Sequence, residues 1–459
     1  MHPPTRAELL AILEAGQLEE RLDFARRMGN HRAHASLLRK AWLRTIGGDL
    51  PNADSDGRRP PLVPPPAWRG IPTTGALKTF ALLIEFQDER HCNSAQAIGQ
   101  ALYGPPQPEN PYDSWAAYYD RSSYHQLDLY DGVTLGWYQT AYPRRAVAPS
   151  DAGREALIKE ALSYFHAQGH DFSQYDNDDD GVVDFFQVLW SGADTGWGTF
   201  WWPYEAEFKD ESFSLDGVGF WHYAWMWDSR PQGAPFDPPT AIHETGHALG
   251  LPDYYDGDLA KGPRGGIGGL DPMDSTRFDH NCFSKWLLDW LTPTTIRRGA
   301  ATISLGASGS SADCVLIWPG VNPKIMFREF FMVQNRQRVG NDAELPGEGL
   351  VIWHVDARLK NGDFACDNST TEHKLLRLME ADGLEQIETG KEADGGDFYQ
   401  SKMSFGAGTI PSSSSYTGRR SGVEIKDICR LGNAISASFA ITKVGRATPP
   451  VEASADLEQ

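Results

Sequence analysis

The segment HETGHALGLPD, residues 243–253, contains the side chains most able to carry out chemistry. His243 and His247 are four residues apart, so on a helix both imidazoles project from one face and suit one zinc ion. Glu244 lies one step around such a helix, where its carboxylate reaches a water molecule rather than the metal, as a general base does. The spacing therefore predicts a metal centre that activates water.

The residues after the second histidine predict a third ligand. Gly250 tolerates the positive φ found at the end of a helix, and Pro252 forces the residue before it into extended geometry. A sharp turn there brings Asp253 back toward the metal, and three protein ligands leave a fourth position for water. Aspartate is a harder ligand than histidine, which leaves manganese and cobalt as alternatives to zinc. The competing interpretation is a chance HExxH sequence in an ordinary helix.

A second candidate metal site is the acidic loop DNDDDGVVD, residues 176–184. Its alternating oxygen donors around a glycine fit the first nine positions of an EF-hand-type loop. The twelfth position holds Gln187 instead of a bidentate glutamate, so no helix–loop–helix unit is implied. We expect structural calcium here because clustered carboxylates repel one another without a cation, the alternative being a solvated acidic turn. The expected ligands are Asp176, Asp178, Asp180, the Val182 carbonyl and Asp184.

The elements that must position these sites are predicted from hydrophobic periodicity. Buried strand runs occupy residues 78–86 and 183–190, and helical spacing occurs at 152–167, 239–250 and 283–291. Beyond residue 296, short strand runs alternate with Gly- and Asp-rich turns, as in a β-sandwich. We therefore expect an α+β fold. Its expected divisions are a helical N-terminal segment (1–50), a Pro-rich linker (51–70), a catalytic domain (71–295), a β-rich domain (296–443) and a disordered tail (444–459).

Composition limits the classes of function. The 459 residues include 62 Asp and Glu against 42 Lys and Arg, and this net charge of −20 argues against nucleic acid or an anionic membrane as a partner. No run of about 18 apolar residues predicts membrane insertion, and the N-terminus lacks the pattern of a secretory signal. Five cysteines without CxxC spacing form a poor disulfide or zinc–thiolate framework, although a pair between Cys366 and Cys429 is left open.

Several other candidates are given structural roles. Six tryptophans between residues 197 and 227 are interpreted as core packing rather than as a substrate-binding wall, because aromatic side chains bury large areas. His354 and His373 are interpreted as polar contacts of the β-rich domain rather than as further ligands. The glycine-rich stretch GGIGGLDPMDS, residues 265–275, allows a tight turn that would place Met273 beneath the metal.

The segments HETGHALGLPDYYD, GGIGGLDPMDS and FSKWLLDWL resemble the secreted bacterial metalloproteases of the immune inhibitor A type, and the similarity covers about residues 70–443. The resemblance implies a zincin fold of the metzincin kind and an extracellular zinc endopeptidase acting on protein or peptide substrates. Ser275 stands where some metzincins carry a tyrosine, so the group that stabilises the oxyanion stays unassigned. By motif position the resemblance implies three zinc ligands, a general base and a structural Met-turn residue: His243, His247, Asp253, Glu244 and Met273.

Together these observations predict a metal-dependent endopeptidase in which Glu244 moves the proton between water and the leaving amine. The rival hypothesis is a calcium-stabilised adhesion or carbohydrate-binding protein with an inert zincin-like domain, and the intact Glu244 argues against it. The segment 1–50 carries eight basic and six acidic residues. We expect this candidate pro-segment to dock electrostatically on the acidic remainder of the chain.

Overall fold

The structure, a computed structural model, describes residues 1–34, 37, 70–106, 114–257, 266–319, 329–360 and 363–442. The predicted Pro-rich linker 51–70, apart from its last residue, and the predicted tail 444–459 lie outside the described residues. Helices and several sheets together give an α+β fold. No described helix combines the length and the apolar character that crossing a bilayer requires.

Serine side chains begin three of the helices. The hydroxyls of Ser94, Ser114 and Ser150 each accept a hydrogen bond from the backbone N–H three residues later. The helices predicted at 152–167 and 239–250 are confirmed, whereas the helix predicted at 283–291 ends early because the chain turns at Asp289, where φ is 73°. The described α-helices are α1 (Arg6–Glu14), α2 (Leu18–Met28), α3 (Ala95–Tyr103), α4 (Trp115–Ser122), α5 (Asp151–Ala167), α6 (Pro239–Ala248), α7 (Pro272–Ser275) and α8 (Cys282–Leu287).

The strands before residue 230 are β1 (Gly75–Ala76), β2 (Thr79–Glu85), β3 (Leu127–Asp128), β4 (Gly132–Gln139), β5 (Val182–Trp190), β6 (Tyr204–Glu207) and β7 (Gly219–Trp227). Five of them form the first sheet in the order β4-β2-β5-β7-β6, which is parallel except for its edge pair β6 and β7. β2 and β5 confirm the two predicted strand runs. They are almost entirely buried, as central parallel strands covered on both faces must be.

The β-rich character predicted after residue 296 is confirmed. A second five-stranded sheet has the order β15-β12-β11-β10-β8, and an antiparallel three-stranded sheet has the order β16-β17-β9; their apolar side chains share one buried cluster. β13 and β14 form a separate antiparallel pair. The strands of this region are β8 (Thr294–Ile296), β9 (Gly299–Leu305), β10 (Val315–Ile317), β11 (Glu329–Arg336), β12 (Gly349–Asp356), β13 (Leu359–Lys360), β14 (Asp363–Phe364), β15 (Leu376–Leu378), β16 (Val423–Leu431) and β17 (Ala434–Ile441).

The first sheet has a different buried cluster on each face because successive side chains of a strand point in opposite directions. In β2, Phe80 and Leu82 join the cluster that contains residues of α5 and the N-terminal segment. Ala81 and Leu83 join the cluster that contains residues of α6 and of the β-rich region. The core therefore continues from the first sheet through α6 into the β-rich region.

Candidate metal centre

The end of helix α6 brings the predicted third ligand beside the two histidines. Gly250 N–H donates to the His247 carbonyl at 2.8 Å, and Leu251 N–H donates to the Gly246 carbonyl at 2.9 Å. These two bonds form a Schellman turn, which requires the left-handed geometry that Gly250 adopts with φ 97°. The turn reverses the chain, so Asp253 faces back toward the helix.

The three predicted ligand side chains converge on one point. His243 Nε2 and His247 Nε2 lie 3.2 Å apart, and Asp253 Oδ1 lies 3.2 Å from each of them. The other ring nitrogens are anchored, because Nδ1 of His243 donates to the Pro272 carbonyl at 2.7 Å and Nδ1 of His247 donates to the Leu251 carbonyl at 2.9 Å. Since a carbonyl only accepts, both Nε2 atoms carry lone pairs that face the carboxylate.

This donor set fits a zinc ion. Two lone pairs and a carboxylate oxygen in mutual contact repel one another and need a cation between them. Two imidazoles and a carboxylate are zinc ligands, and zinc-binding histidines usually anchor their second nitrogen in this way. Burial lowers the pKa of His243 and His247, and the nearby α-amino group of Met1 lowers it further. Both imidazoles are therefore held in the neutral form that binds metal.

The two carboxylates of the site differ in their pKa. Burial alone would raise the pKa of Asp253, but the α-amino group of Met1 and the two histidines outweigh burial and hold it far below its ordinary value. Burial raises the pKa of Glu244, and the same α-amino group offsets only part of that rise. Glu244 Oε2 is buried without a hydrogen-bond partner. A buried carboxylate with a raised pKa beside three ligand atoms has the properties of a general base.

Met273 lies directly beneath α6. A Cβ atom on Gly246, which stands between the two histidines, would lie only 2.2 Å from Met273 Sδ. The turn that presents this methionine is held by the buried carboxylate of Asp274, which accepts the N–H groups of Ile267 at 3.0 Å and Gly269 at 2.6 Å. Sequence reasoning singled out Met273 but not Gly246, although a glycine inside a helix signals a close approach.

We expect Gly246→Ala to lower the free energy of unfolding by about 1 to 3 kcal/mol in urea denaturation, because its Cβ overpacks the methionine. Alanine in a helix would otherwise stabilise by about 1 kcal/mol. The double variant Gly246→Ala/Met273→Ala should lose less unfolding free energy than the sum of the losses in the two single variants, because it removes the sulfur with which the new Cβ clashes. Gly136→Ala is the control, because its Cβ would lie 3.7 Å from its neighbour. A neutral Gly246→Ala variant contradicts the close packing.

The first residue of the described chain lies in the site. The Met1 α-amino nitrogen is 2.6 Å from His247 Nε2 and 3.3 Å from Asp253 Oδ1. The backbone contributes as well, because Asp253 N–H donates to the Asn30 carbonyl at 2.9 Å. The nitrogen of Met1 therefore lies beside two of the three converging ligand atoms.

His2 occupies an aromatic pocket next to the predicted base. Its N–H donates to Glu244 Oε1 at 2.8 Å, and its carbonyl accepts the Trp202 indole N–H at 2.8 Å. Its ring lies 5.8 Å from the Trp202 ring and 5.4 Å from the Trp227 ring, and the Arg230 guanidinium covers both indoles. Both tryptophans are buried, as expected, yet they also form a wall of the site. Arg230 was not found from the sequence, because no local pattern marks it.

Further contacts fasten the N-terminal segment to the body of the protein. Arg21 Nη1 donates to the carbonyls of residues 195–197 at 3.1 to 3.4 Å. Glu8 forms an ion pair with Arg230. In this pair the segment carries the negative charge, which is the opposite of what the net charges of segment and body suggested. The contacts therefore depend on individual groups more than on net charge.

The acidic loop brings three of its predicted ligands together. Carboxylate oxygens of Asp176, Asp178 and Asp180 lie within 4.8 Å of one another. Asp176 also accepts the N–H groups of Asp180 at 3.0 Å and Gly181 at 2.9 Å, which curls the loop around the carboxylates. The geometry of these three residues suits a calcium ion, which prefers oxygen ligands in such a loop.

The remaining two predicted calcium ligands stand at the start of β5. Val182 N–H donates to Asp180 Oδ1 at 3.0 Å. Asp184 Oδ2 accepts the backbone N–H of Asn177 at 2.9 Å and its side-chain amide at 2.8 Å, and Asp178 and Asp180 lie close enough to act on its charge. Burial raises the pKa of Asp184 to about 7; the bonds from Asn177 oppose this rise, and nearby acidic charges add to it.

When metal is removed with a chelator and saturating zinc is then restored, adding calcium should raise the thermal stability of the protein. A ligand at about 100 times its Kd stabilises the folded state by about 2.7 kcal/mol, which calorimetry records as a higher Tm. Asp178→Asn should abolish this shift, because it removes one of the three grouped carboxylates. Asp179→Asn also removes one negative charge, but Asp179 is not one of the three grouped aspartates, so calcium should still raise the Tm of this variant. Equal responses of the two variants would contradict a calcium site here.

Comparison with known proteins adds no family to this description, since no protein-family model matches the chain and no curated protein matches its sequence. The function is therefore inferred from the site itself. Its features are three converging ligand atoms, a buried glutamate beside them, and a stretch of peptide lying against both.

Proposed function

We propose that the protein is a zinc-dependent endopeptidase. The observation that carries this proposal is the 3.2 Å convergence of His243, His247 and Asp253, with the buried Glu244 carboxylate beside them. Residues 1 and 2 of the chain lie against these side chains, so the cleft accepts a peptide backbone.

Each residue of the site has a definite part in peptide hydrolysis. A zinc ion held by the three ligands supplies Lewis acidity toward water and a peptide carbonyl. Glu244 takes a proton from the attacking water and passes it to the nitrogen of the leaving amine. The Trp202 indole N–H, which binds the His2 carbonyl, would bind a substrate carbonyl and hold the peptide in register. Burial of the site limits bulk water and strengthens these interactions.

The proposal also covers the fold of the two domains, the structural calcium ion and the location of the protein. The first sheet, α6 and the turn at Met273 support a zincin domain of the metzincin kind. The two sheets after residue 290 share a buried cluster, which supports a sandwich-like domain. The grouped aspartates of the acidic loop support a structural calcium ion. An extracellular setting, suggested by the family resemblance, would supply calcium at the concentrations that such loops need.

We propose in addition that residues 1–34 keep the peptidase latent, as a docked pro-segment. The support comes from Met1 among the ligand atoms, His2 bound to Glu244, and Arg21 fastened to the loop at 195–197. A docked segment occupies the space in which substrate and water would otherwise meet the ligands and the base. Activity then requires that the segment leave the cleft or be cleaved.

Metal analysis combined with a cleavage assay tests the proposed function. The purified chain, with and without limited proteolysis of its N-terminal segment, is assayed on casein before and after removal of metal. We expect cleavage that chelation stops and zinc restores, and we expect His247→Ala to bind one zinc equivalent less. If zinc is bound and glycans are bound but no form cleaves casein or a peptide library, the adhesion or carbohydrate-binding hypothesis replaces this one.

A further inference from the structure

A second group of metal-ligating side chains lies in the β-rich region. Asp356 ends β12, Cys366 follows the short hairpin of β13 and β14, and His373 lies just before β15. One donor atom from each residue lies within 4.8 Å of the other two. The Asp356 side chain is fully buried, whereas His373 is 30% exposed and Cys366 is partly exposed. The thiol is not part of a disulfide.

Backbone pairing fixes this convergence. Asp356 N–H donates to the carbonyl of Leu375 at 2.9 Å, which holds the turn containing His373 beside the end of β12. The N–H of the residue before Cys366 donates to the Arg358 carbonyl at 2.6 Å, which returns the hairpin to the same place. The three donors are therefore brought together by the course of the chain, and their approach does not depend on long flexible side chains.

Stacking also orients the histidine. The His373 imidazole stacks on the Tyr416 ring with centroids 4.1 Å apart, and His354 also stacks on that tyrosine, with centroids 4.5 Å apart. Glu329 completes this layer by accepting the Tyr416 N–H at 2.5 Å. An imidazole held at a fixed angle by its neighbours is a better ligand than a free one, because less rotamer entropy is lost on binding.

The charges around the cluster favour an additional cation. Arg358 binds the Asp356 carboxylate through Nε and Nη2 at 2.5 to 3.0 Å, and it is the positive group closest to that carboxylate among the contacts described. Three acidic side chains lie close enough to act on the Cys366 thiol: Asp356, Asp367 and Glu329. Metal binding replaces the thiol proton with a divalent ion, which brings positive charge into this acidic neighbourhood.

A nucleophilic role for Cys366 agrees less well with the geometry. A catalytic thiol is hydrogen-bonded to the histidine that takes its proton. Among the contacts of the described residues, none joins the Cys366 thiol to the His373 ring, whose Nε2 lies 2.6 Å from Asp356 Oδ2 and 3.3 Å from Arg358 Nη2. Arg358 does not block a metal, because its side chain is 44% exposed and can move into solvent when an ion takes its place on the carboxylate.

We propose that Asp356, Cys366 and His373 bind a divalent transition metal ion of the zinc class. Thiolate and imidazole together select zinc or cobalt over calcium and magnesium, and three protein ligands leave one position open. A cavity of about 280 Å³ reaches Cys366 and His373, and residues 31–33 form part of its opposite wall. The ion would join three turns of the β-rich region at the place where the N-terminal segment approaches them.

Cobalt substitution tests this site independently of peptidase activity. The metal-free full chain is titrated with cobalt, and the near-ultraviolet charge-transfer band of a cobalt–thiolate bond is recorded. The centre at α6 contains no thiolate among its three donors, so the band reports on a cysteine and not on that centre, and the Cys366→Ser variant identifies which cysteine it is. We expect the band in the wild type, its loss in Cys366→Ser, and its persistence when His243 and His247 are both replaced by alanine.

Two further variants keep the outcome decisive. Cys429→Ser removes an exposed thiol from the same region and should keep the band. His373→Gln keeps the Cys366 sulfur and should weaken or abolish the cobalt–thiolate band. This variant provides the test if circular dichroism shows that Cys366→Ser does not fold. A wild-type chain that gives no thiolate band, a band that survives Cys366→Ser, or a band unchanged in His373→Gln overturns the proposal. Each of these results leaves the zinc peptidase proposal untouched.

Discussion

Glu244→Gln should lower kcat/KM for peptide hydrolysis by about 100- to 10,000-fold, because the amide cannot take a proton from water. Glutamine keeps the size of the side chain and an oxygen able to accept the His2 N–H, so the buried site should keep its shape. Zinc content should not change, since the three ligand atoms belong to His243, His247 and Asp253. Cleavage of a fluorogenic peptide and elemental analysis measure the two expectations.

A matched control separates loss of the base from loss of a buried charge. Glu155 is also buried, and its carboxylate accepts the N–H groups of Lys209 and Asp210, which are not part of the candidate metal centre. Glu155→Gln should lower stability somewhat and leave kcat/KM within a few-fold of the wild type. Full activity in Glu244→Gln would contradict its role as base. A parallel loss of zinc would instead make Glu244 part of the metal's ligand set.

The ligand geometry could be predicted because it depends on local rules. Two histidines four residues apart share one helix face wherever the helix lies in the protein. The turn at Gly250 is closed by two hydrogen bonds within residues 246–251, so a glycine and the following proline were enough to suggest that Asp253 comes back. The strand runs at 78–86 and 183–190 were equally evident, because both faces of a central strand are apolar.

What could not be predicted depends on residues distant in sequence. Met1 and His247 are 246 residues apart, and no pattern in either segment points to the other. The pairing of Glu8 with Arg230 opposes the direction of the net charges, because the charges that meet at one contact need not follow the net charge of either segment. Asp184 fits the spacing of a calcium ligand, and the two hydrogen bonds that it accepts from Asn177 could not be read from that spacing. Such contacts become visible only in three dimensions.

Loosening the N-terminal segment should raise the activity of the full chain. Arg21 makes three hydrogen bonds to carbonyls of residues 195–197, and hydrogen bonds to a charged group contribute about 1.5 to 3 kcal/mol. Arg21→Ala should therefore raise the undocked fraction about tenfold or more. The proposed latency means that substrate would bind only the undocked state, so docking would act as intramolecular competition. We expect the apparent KM to fall about tenfold while kcat stays unchanged.

The division between KM and kcat distinguishes latency from a merely structural role of the segment. If residues 1–34 only stabilised the fold, Arg21→Ala would lower the melting temperature and reduce the amount of active protein, which lowers kcat and leaves KM alone. Arg26→Ala removes the same charge from an exposed position on the same helix and should change neither constant. An Arg21→Ala variant with an unchanged KM and a lower kcat would mean that the segment supports the cleft without closing it.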